Sequence, residues 1–258
     1  MADKFFTNFP EIQYQMDDGK VIYIKDFFRK SKIEQEAVNS IINYTSFHIP
    51  DGDRPDVVAT KLYGNPDLHW TFFLVNDFEN YYDWHKDSEV FEGYITKKYP
   101  GQVAIASQST DIVSRKTSVS DTTNKFLLGE KVTSVSGEGR VVLVEPAYNR
   151  IAIDGSGFVA NEAITGKVST KSFTPTSVID HRDAVSYYKN GNLKKNQESS
   201  GYTSVSLYDD EFEKNEAKRS IKVISPNIIG NVVRRFEKVM KSWQSMFNKA
   251  NLLLTQYQ

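Results

Sequence analysis

Apolar and polar positions along the chain change period several times, and each change predicts an element. Val21-Ile22-Tyr23-Ile24 follows the turn Met16-Asp17-Asp18-Gly19 and reads as a strand leaving a hairpin. Residues 31–45 are mixed, fitting a short helix or a pair of strands. From Phe47 to Pro50 the chain reads as extended. Asp53 is placed to cap a helix that has Pro55 near its start, Val57, Val58, Leu62 and Tyr63 on its apolar face, and Gly64 as its stop. Pro66 and Asp67 open a second helix from Leu68 to Asn76, with Trp70, Phe73 and Leu74 at helical spacing. The aromatic run Tyr81-Tyr82-Asp83-Trp84 then predicts a strand. Residues 86–100 are helical in pattern, with Val90, Phe91, Tyr94 and Ile95 on one face and Pro100-Gly101 as the stop.

The character then shifts. Residues 107–124, rich in Ser, Thr and Asp, read as a linker. Over 125–170, Val-rich segments (130–135, 140–144, 150–153) alternate with Gly turns, the pattern of a small β-barrel or sandwich. A half-repeat is visible in it: Phe126-Leu127-Leu128-Gly129-Glu130-Lys131-Val132 is echoed by Phe158-Val159-Ala160-Asn161-Glu162-Ala163-Ile164. Residues 171–205 are polar, with a short strand at Ala184 to Tyr188. Residues 209–219 are charged and helical in pattern, and Ile221-Lys222-Val223-Ile224 is strand-like. Ser225-Pro226 then starts a helix running from near Asn227 towards Leu254, about 40 Å long at 1.5 Å per residue. Its apolar stripe runs from Ile229 to Phe247, and its polar side is basic: Arg234, Arg235, Lys238, Lys241 and Lys249 against Glu237.

The chain has 258 residues, 32 basic and 33 acidic, for a net charge of −1. Such balance offers no global field for nucleic acid or an anionic membrane, and neither is expected as a partner. With no Cys, there are no disulfides, thiolate metal sites or Cys nucleophiles. No signal pattern and no apolar run of about 20 residues occurs, so a soluble protein, intracellular when made, is expected. The 14 Tyr and 16 Phe suit interfaces as well as cores.

Tests for chemistry fail one by one. His181-Arg182-Asp183 resembles a kinase catalytic loop, but Tyr188 stands where a metal-binding Asn is required. Asp51, Asp53 and Asp56 lack calcium-loop spacing, and His69 and His85 have no partner histidine at zinc spacing. No Gly-x-Ser-x-Gly elbow exists, and Gly137-Glu138-Gly139 is a hairpin turn rather than a phosphate cradle. No catalytic, cofactor-binding or metal residues are assigned, and no cofactor or enzymatic activity is expected.

The run from Asp51-Gly52-Asp53 through Tyr63-Gly64-Asn65-Pro66 to Asn76 resembles a LysM module, which implies two helices backing a two-stranded sheet within residues 46–85. Three segments together resemble the baseplate wedge protein 53 family of contractile-tailed bacteriophages. These are Phe6-Thr7-Asn8-Phe9-Pro10 with the strand after it, the LysM-like stretch with its Tyr81-Tyr82-Asp83-Trp84 exit, and Asn215-Glu216-Ala217-Lys218-Arg219 running through Ser225-Pro226 into the last helix. The resemblance implies a structural virion protein of the viral tail, assembled in the host cytoplasm, that clamps adjacent wedges of a six-fold baseplate. The implied partners are other wedge subunits, mainly of the wedge protein 6 and 25 types, with the wedge protein 7 type as a further one. The alternative is a LysM-type protein binding peptidoglycan or chitin.

The fold expected is α+β: residues 1–105 as an N-terminal domain with the LysM-like module, 106–180 as an inserted all-β module, and 181–258 as a segment ending in the long helix. Joining residue 108 to residue 182 should leave the rest folded, and cutting after residue 226 should remove docking without unfolding. Interface anchors are expected at Phe9, Tyr81, Trp84, Arg234, Arg235, Phe236, Met240, Trp243 and Phe247, with Trp70 in the core.

Overall fold

A computed structural model describes residues 9–26, 44–106, 109–111, 116–118 and 126–255. Helix and strand are mixed, and the chain divides into two units: residues 1–88 with 215–258, and residues 89–214. The expected boundaries at 105/106 and 180/181 therefore fall inside the second unit.

The first unit opens with an antiparallel hairpin, β1 (Glu11–Gln15) and β2 (Val21–Lys25). Strand β3 (Tyr44–His48) follows, then helix α1 (Pro55–Tyr63). Arg54, not Asp53, is the N-cap of α1, and it makes no side-chain cap bond. The Asp53 carboxylate instead pairs with Lys61 at 2.5 Å. Gly64 ends the helix at φ 70°, a left-handed turn that glycine adopts without cost. A 3-10 turn, Pro66–His69, leads into helix α2 (Trp70–Asn76), with Asn65 accepting the Asp67 N–H to start it.

The next element corrects the sequence reading. Tyr81–Asp83 is a 3-10 turn rather than a strand, because Asn80 and Asp83 form a reciprocal capping box that bends the backbone away from extension. The partner of β3 is β16 (Ser220–Ile224), paired from His48↔Ser220 to Tyr44↔Ile224. The strand-helix-helix-strand order is thus completed from the far end of the chain. Its core is Ile49, Val58, Ala59, Phe72, Trp84, Ile221 and Val223.

Helix α5 (Ile229–Thr255) follows β16. Its first turns lay Val233, Ile229 and Phe236 over Leu68 and Trp70, with the Phe236 and Trp70 ring centres 4.7 Å apart. This part of the helix covers its own unit's core, so a cut after residue 226 would strip that cover and expose Trp70.

The second unit starts with helix α3 (Ser88–Lys98), most of which belongs to it, and Gly101 at φ 68° turns the chain into β4 (Gln102–Ile105). A Cβ at Gly101 would lie 2.0 Å from the Ile153 carbonyl oxygen, so the position admits no side chain. The expected linker contains a short antiparallel pair, β5 (Ser109–Asp111) and β6 (Lys116–Ser118). Then come β7 (Lys131–Thr133), β8 (Glu138–Glu145), β9 (Arg150–Ser156), β10 (Ile164–Gly166), β11 (Ser172–Phe173) and β12 (Ser177–Asp180). With β4 they form a seven-stranded antiparallel sheet ordered β11-β10-β7-β8-β9-β4-β12. Its edge strands are joined by the four steps from Phe173 to Ser177, at most about 15 Å of chain. A flat sheet would separate them by about 29 Å, so the sheet must curl. Alternation along the strands sorts Ala104, Ile151 and Ile153 into one core with Phe126, Phe158 and Phe173, while Val103 and Ala152 face a second cluster with Ala184. A joint from 108 to 182 would remove six of the seven strands and leave only β4, so that deletion cuts through a core.

The half-repeat has a structural purpose. β7 and β10 pair antiparallel, and the Glu of each half caps the turn that follows the other half's strand. Glu130 accepts from the Val168 and Ser169 N–H groups at 3.2 and 3.0 Å, and Glu162 accepts from the Ser136 N–H at 3.0 Å. Strands β13 (Val185–Asn190), β14 (Leu193–Lys195) and β15 (Thr203–Ser206) form a three-stranded sheet, and helix α4 (Leu207–Ala217) carries the chain back to the first unit.

Candidate interaction surface

No group of three or more His, Asp or Glu among the described residues could hold a metal ion, and no described helix is long and apolar enough to cross a membrane. His181-Arg182-Asp183 is a 3-10 turn in which His181 is buried and Arg182 pairs with Glu92 at 2.9 Å. Two surface features of the first unit could reach a partner.

The sharpest is a knuckle at Tyr81 and Tyr82, whose side chains are 56% and 76% exposed. The backbone beneath them is pinned. Asn80 accepts the Tyr82 N–H at 2.8 Å, and Asp83 accepts the Glu79 and Asn80 N–H groups at 2.9 and 3.1 Å. The Lys86 and Lys218 ammonium groups both donate to the Tyr82 carbonyl, at 3.0 and 3.3 Å. Behind the turn, Trp84 is 3% exposed, stacks with Phe73 and donates its indole N–H to the Asp53 carbonyl at 2.9 Å. Two amphipathic rings held out on a fixed turn lose little entropy when covered, which suits an interface anchor.

Next to the knuckle the chain is clasped. Asn215 accepts the Lys86 N–H at 2.9 Å and donates to the Lys86 carbonyl at 2.8 Å. Glu216 meets Arg219 at 2.9 Å and the buried His85 at 3.3 Å. The Arg219 bond, aided by His85 and opposed by partial burial, holds the Glu216 carboxyl below its usual range. A second feature is a basic ridge on α5, where Arg234, Arg235, Lys238 and Lys241 are exposed beside Asn231 and Ser242. Arg234 is steadied by Asn231 at 2.6 Å.

The expected anchors divide on burial. Tyr81, Arg234 and Arg235 are exposed. Phe9, Trp84 and Met240 are 4%, 3% and 1% exposed, so they serve the first unit's interior rather than its surface. Phe236 is half-buried on Trp70. Trp243 and Phe247 lie on α5, their side chains outside those described. Tyr82 was missed by the sequence reading, although it is the more exposed of the pair. Its signal was the Asn80–Asp83 capping spacing, which turns a strand-like aromatic run into a tight turn.

Residues 4–111 match the family model described as Base plate wedge protein 53. Over 99 residues the chain is 28% identical to the baseplate wedge protein gp53 of Enterobacteria phage T4, which covers 36% of this chain and 50% of that protein. The chain thus spans about half the length of that relative. The matched stretch holds β3, α1, α2 and the Tyr81–Tyr82 knuckle, while β16 and α5 lie beyond it.

Proposed function

Residues 4–111 belong to the base plate wedge protein 53 family, and from that premise we propose that the chain is a non-enzymatic structural subunit of a phage tail baseplate. It joins its own wedge to the neighbouring one, in contact with wedge subunits of the 6, 25 and 7 types. The observation that carries this reading is the pinned Tyr81–Tyr82 knuckle, which lies within the stretch shared with the family. A clamp needs rigid, exposed anchors and no active site, and the knuckle has that form. The basic ridge on α5 adds local positive charge to a near-neutral chain, which favours an acidic partner surface.

A LysM-like layout is supported by the two-stranded β3–β16 sheet with α1 and α2 against it. Sugar binding through this module finds no support in its aromatics: Trp70 is 6% exposed under Phe236, and Phe72 is fully buried.

The test is incorporation. A chain with Tyr81→Ala and Tyr82→Ala should fold with unchanged thermal unfolding and be depleted from purified baseplates by at least tenfold, on the scale of a hot-spot loss of about 2 kcal/mol. Wild-type levels in baseplates would remove the knuckle from the interface. Absence of the wild-type chain from baseplates would overturn the structural role itself.

A further inference from the structure

The first unit caps much of one edge of its two-stranded sheet and leaves the other without a partner among the described residues. The Ile49 N–H donates to the Arg219 carbonyl at 2.8 Å, which sets the hydrogen-bond phase of the ladder. Counting in steps of two, the pairs Phe47/Ile221 and Thr45/Val223 bond inward, and the alternate residues of each strand point their N–H and C=O groups outward. On β16 the outward groups of Lys222 and the outward carbonyl of Ile224 are taken. Asn76 accepts the Lys222 N–H at 2.8 Å and donates to the Lys222 carbonyl at 2.9 Å. Tyr63 donates its hydroxyl to the Ile224 carbonyl at 2.9 Å. Burial pushes the Tyr63 hydroxyl up to about 12, so it remains a donor at neutral pH. On β3 the outward groups of Ser46 and His48 have no partner among the described residues, and both side chains are exposed.

We propose that β3 is the receiving edge for an extended segment of another wedge subunit, which adds as a third strand. This rests on the baseplate reading above. Only an extended backbone matches a row of alternating donors and acceptors at strand spacing. The two faces of β3 set the side chains of that segment. On the inner face, half-buried Phe47 packs against the core cluster of Ile49 and Val58, so an apolar residue beside it would extend that core. On the outer face, the sheet residues Ser46, His48, Ser220 and Lys222 include no carboxylate, so acidic or other acceptor side chains are favoured there. The occupant is therefore an amphipathic strand with apolar residues on one side and acceptors on the other.

Two measurements decide it. Fragment-resolved hydrogen exchange should show additional slow amides over residues 44–48 in purified baseplates, relative to the free chain. If the chain is present in baseplates but this segment exchanges as in the free chain, the edge is not used, whatever the fate of the baseplate reading. If the chain is absent from baseplates, it is that reading which fails, and this proposal with it. The second measurement is Ser46→Pro, which removes an outward N–H and leaves the inward ladder intact. It should reduce incorporation by about tenfold or more while Ser46→Ala incorporates normally. Normal incorporation of a folded Ser46→Pro chain overturns the proposal; if that variant does not fold, the exchange result decides alone. Dimerisation of the free chain that Ser46→Pro abolishes would place a second copy on the edge and overturn the proposed partner.

Discussion

Asn76 and Lys222 are 146 positions apart in sequence, yet the Asn76 amide donates to and accepts from the Lys222 backbone as a neighbouring strand would. The same amide also donates to the Phe72 carbonyl at 2.9 Å, which fixes it to the end of α2. Asn76→Ala should lower the stability of the first unit by about 1–2 kcal/mol, because water can replace the lost bonds only in part at this half-buried site. Denaturant unfolding followed by Trp fluorescence measures it; an unchanged midpoint would show that the plug adds nothing.

The two halves of the β-rich repeat should respond unequally. Burial raises the proton affinity of Glu130, but backbone N–H groups from Ser169, Leu127 and Val168 outweigh it and hold this carboxyl below its usual value. Glu130→Ala should cost the second unit about 2–3 kcal/mol, since buried donors lose a charged acceptor. Glu162 sits in a more open place, and Glu162→Ala should cost about 1 kcal/mol or less. Equal losses in chemical denaturation would contradict the burial difference.

Acid should weaken the second unit in two steps. Burial depresses His181 below its ordinary value of 6.5, outweighing the Pro100 carbonyl bond at 3.1 Å and the nearby Glu145. Below about pH 6.5 the unfolded chain therefore takes up a proton that the folded unit resists, and stability falls as pH drops towards the folded pKa. A further loss begins below about pH 4.5, where depressed Glu130 and Glu211 must be protonated in the unfolded chain first. Melting temperatures from pH 8 to 5 should decline only below 6.5, and His181→Phe should flatten that decline. A flat wild-type profile would show that His181 is not buried neutral.

Excision should succeed only at the right joints. Replacing residues 89–214 by a short Gly/Ser linker should leave the first unit cooperatively folded, because Asn215 already holds the return of the chain against Lys86. Joining 108 to 182 should instead give an aggregating product. Calorimetry of both constructions checks this, and cooperative melting of the second alone would reverse the assigned boundaries.

Chitin oligomers should leave the Trp fluorescence of the intact chain unchanged, since Trp70 lies beneath Phe236 and Trp84 within the core. Saturable quenching would instead support the LysM-type glycan reading.

Local signals in the sequence were reliable where local chemistry decides. Gly64 and Pro55 marked helix ends correctly, because a left-handed C-cap and a proline-tolerant first turn depend on few neighbours, whereas Ser225-Pro226 misplaced the last helix, which starts at Ile229 after a turn over 226–228. Tyr81-Tyr82-Asp83-Trp84 misled, since aromatic β-propensity lost to the Asn80–Asp83 capping box. The partner of β3 was invisible: Ile221 to Ile224 reads as a strand, but nothing in it names Tyr44 to His48 as its mate. The unit boundaries were hidden for a related reason. They fall at the first residue of α3 and within α4, where the helical pattern runs unbroken through Asn215. The knuckle was half read, because exposure of Tyr82 and burial of Trp84 follow from the turn rather than from residue type.

The long separation between β3 and β16 also orders events during synthesis. The second unit draws its sheet and its two cores from one contiguous stretch, so it can condense while translation continues. β3 emerges earlier but must wait for Ser220 to Ile224 before its ladder with β16 can form. A polypeptide interrupted between β3 and β16 contains β3 but lacks the strand it pairs with. On the strand-addition proposal, truncated products would lack the receiving edge, which makes completeness of the chain a condition for that contact.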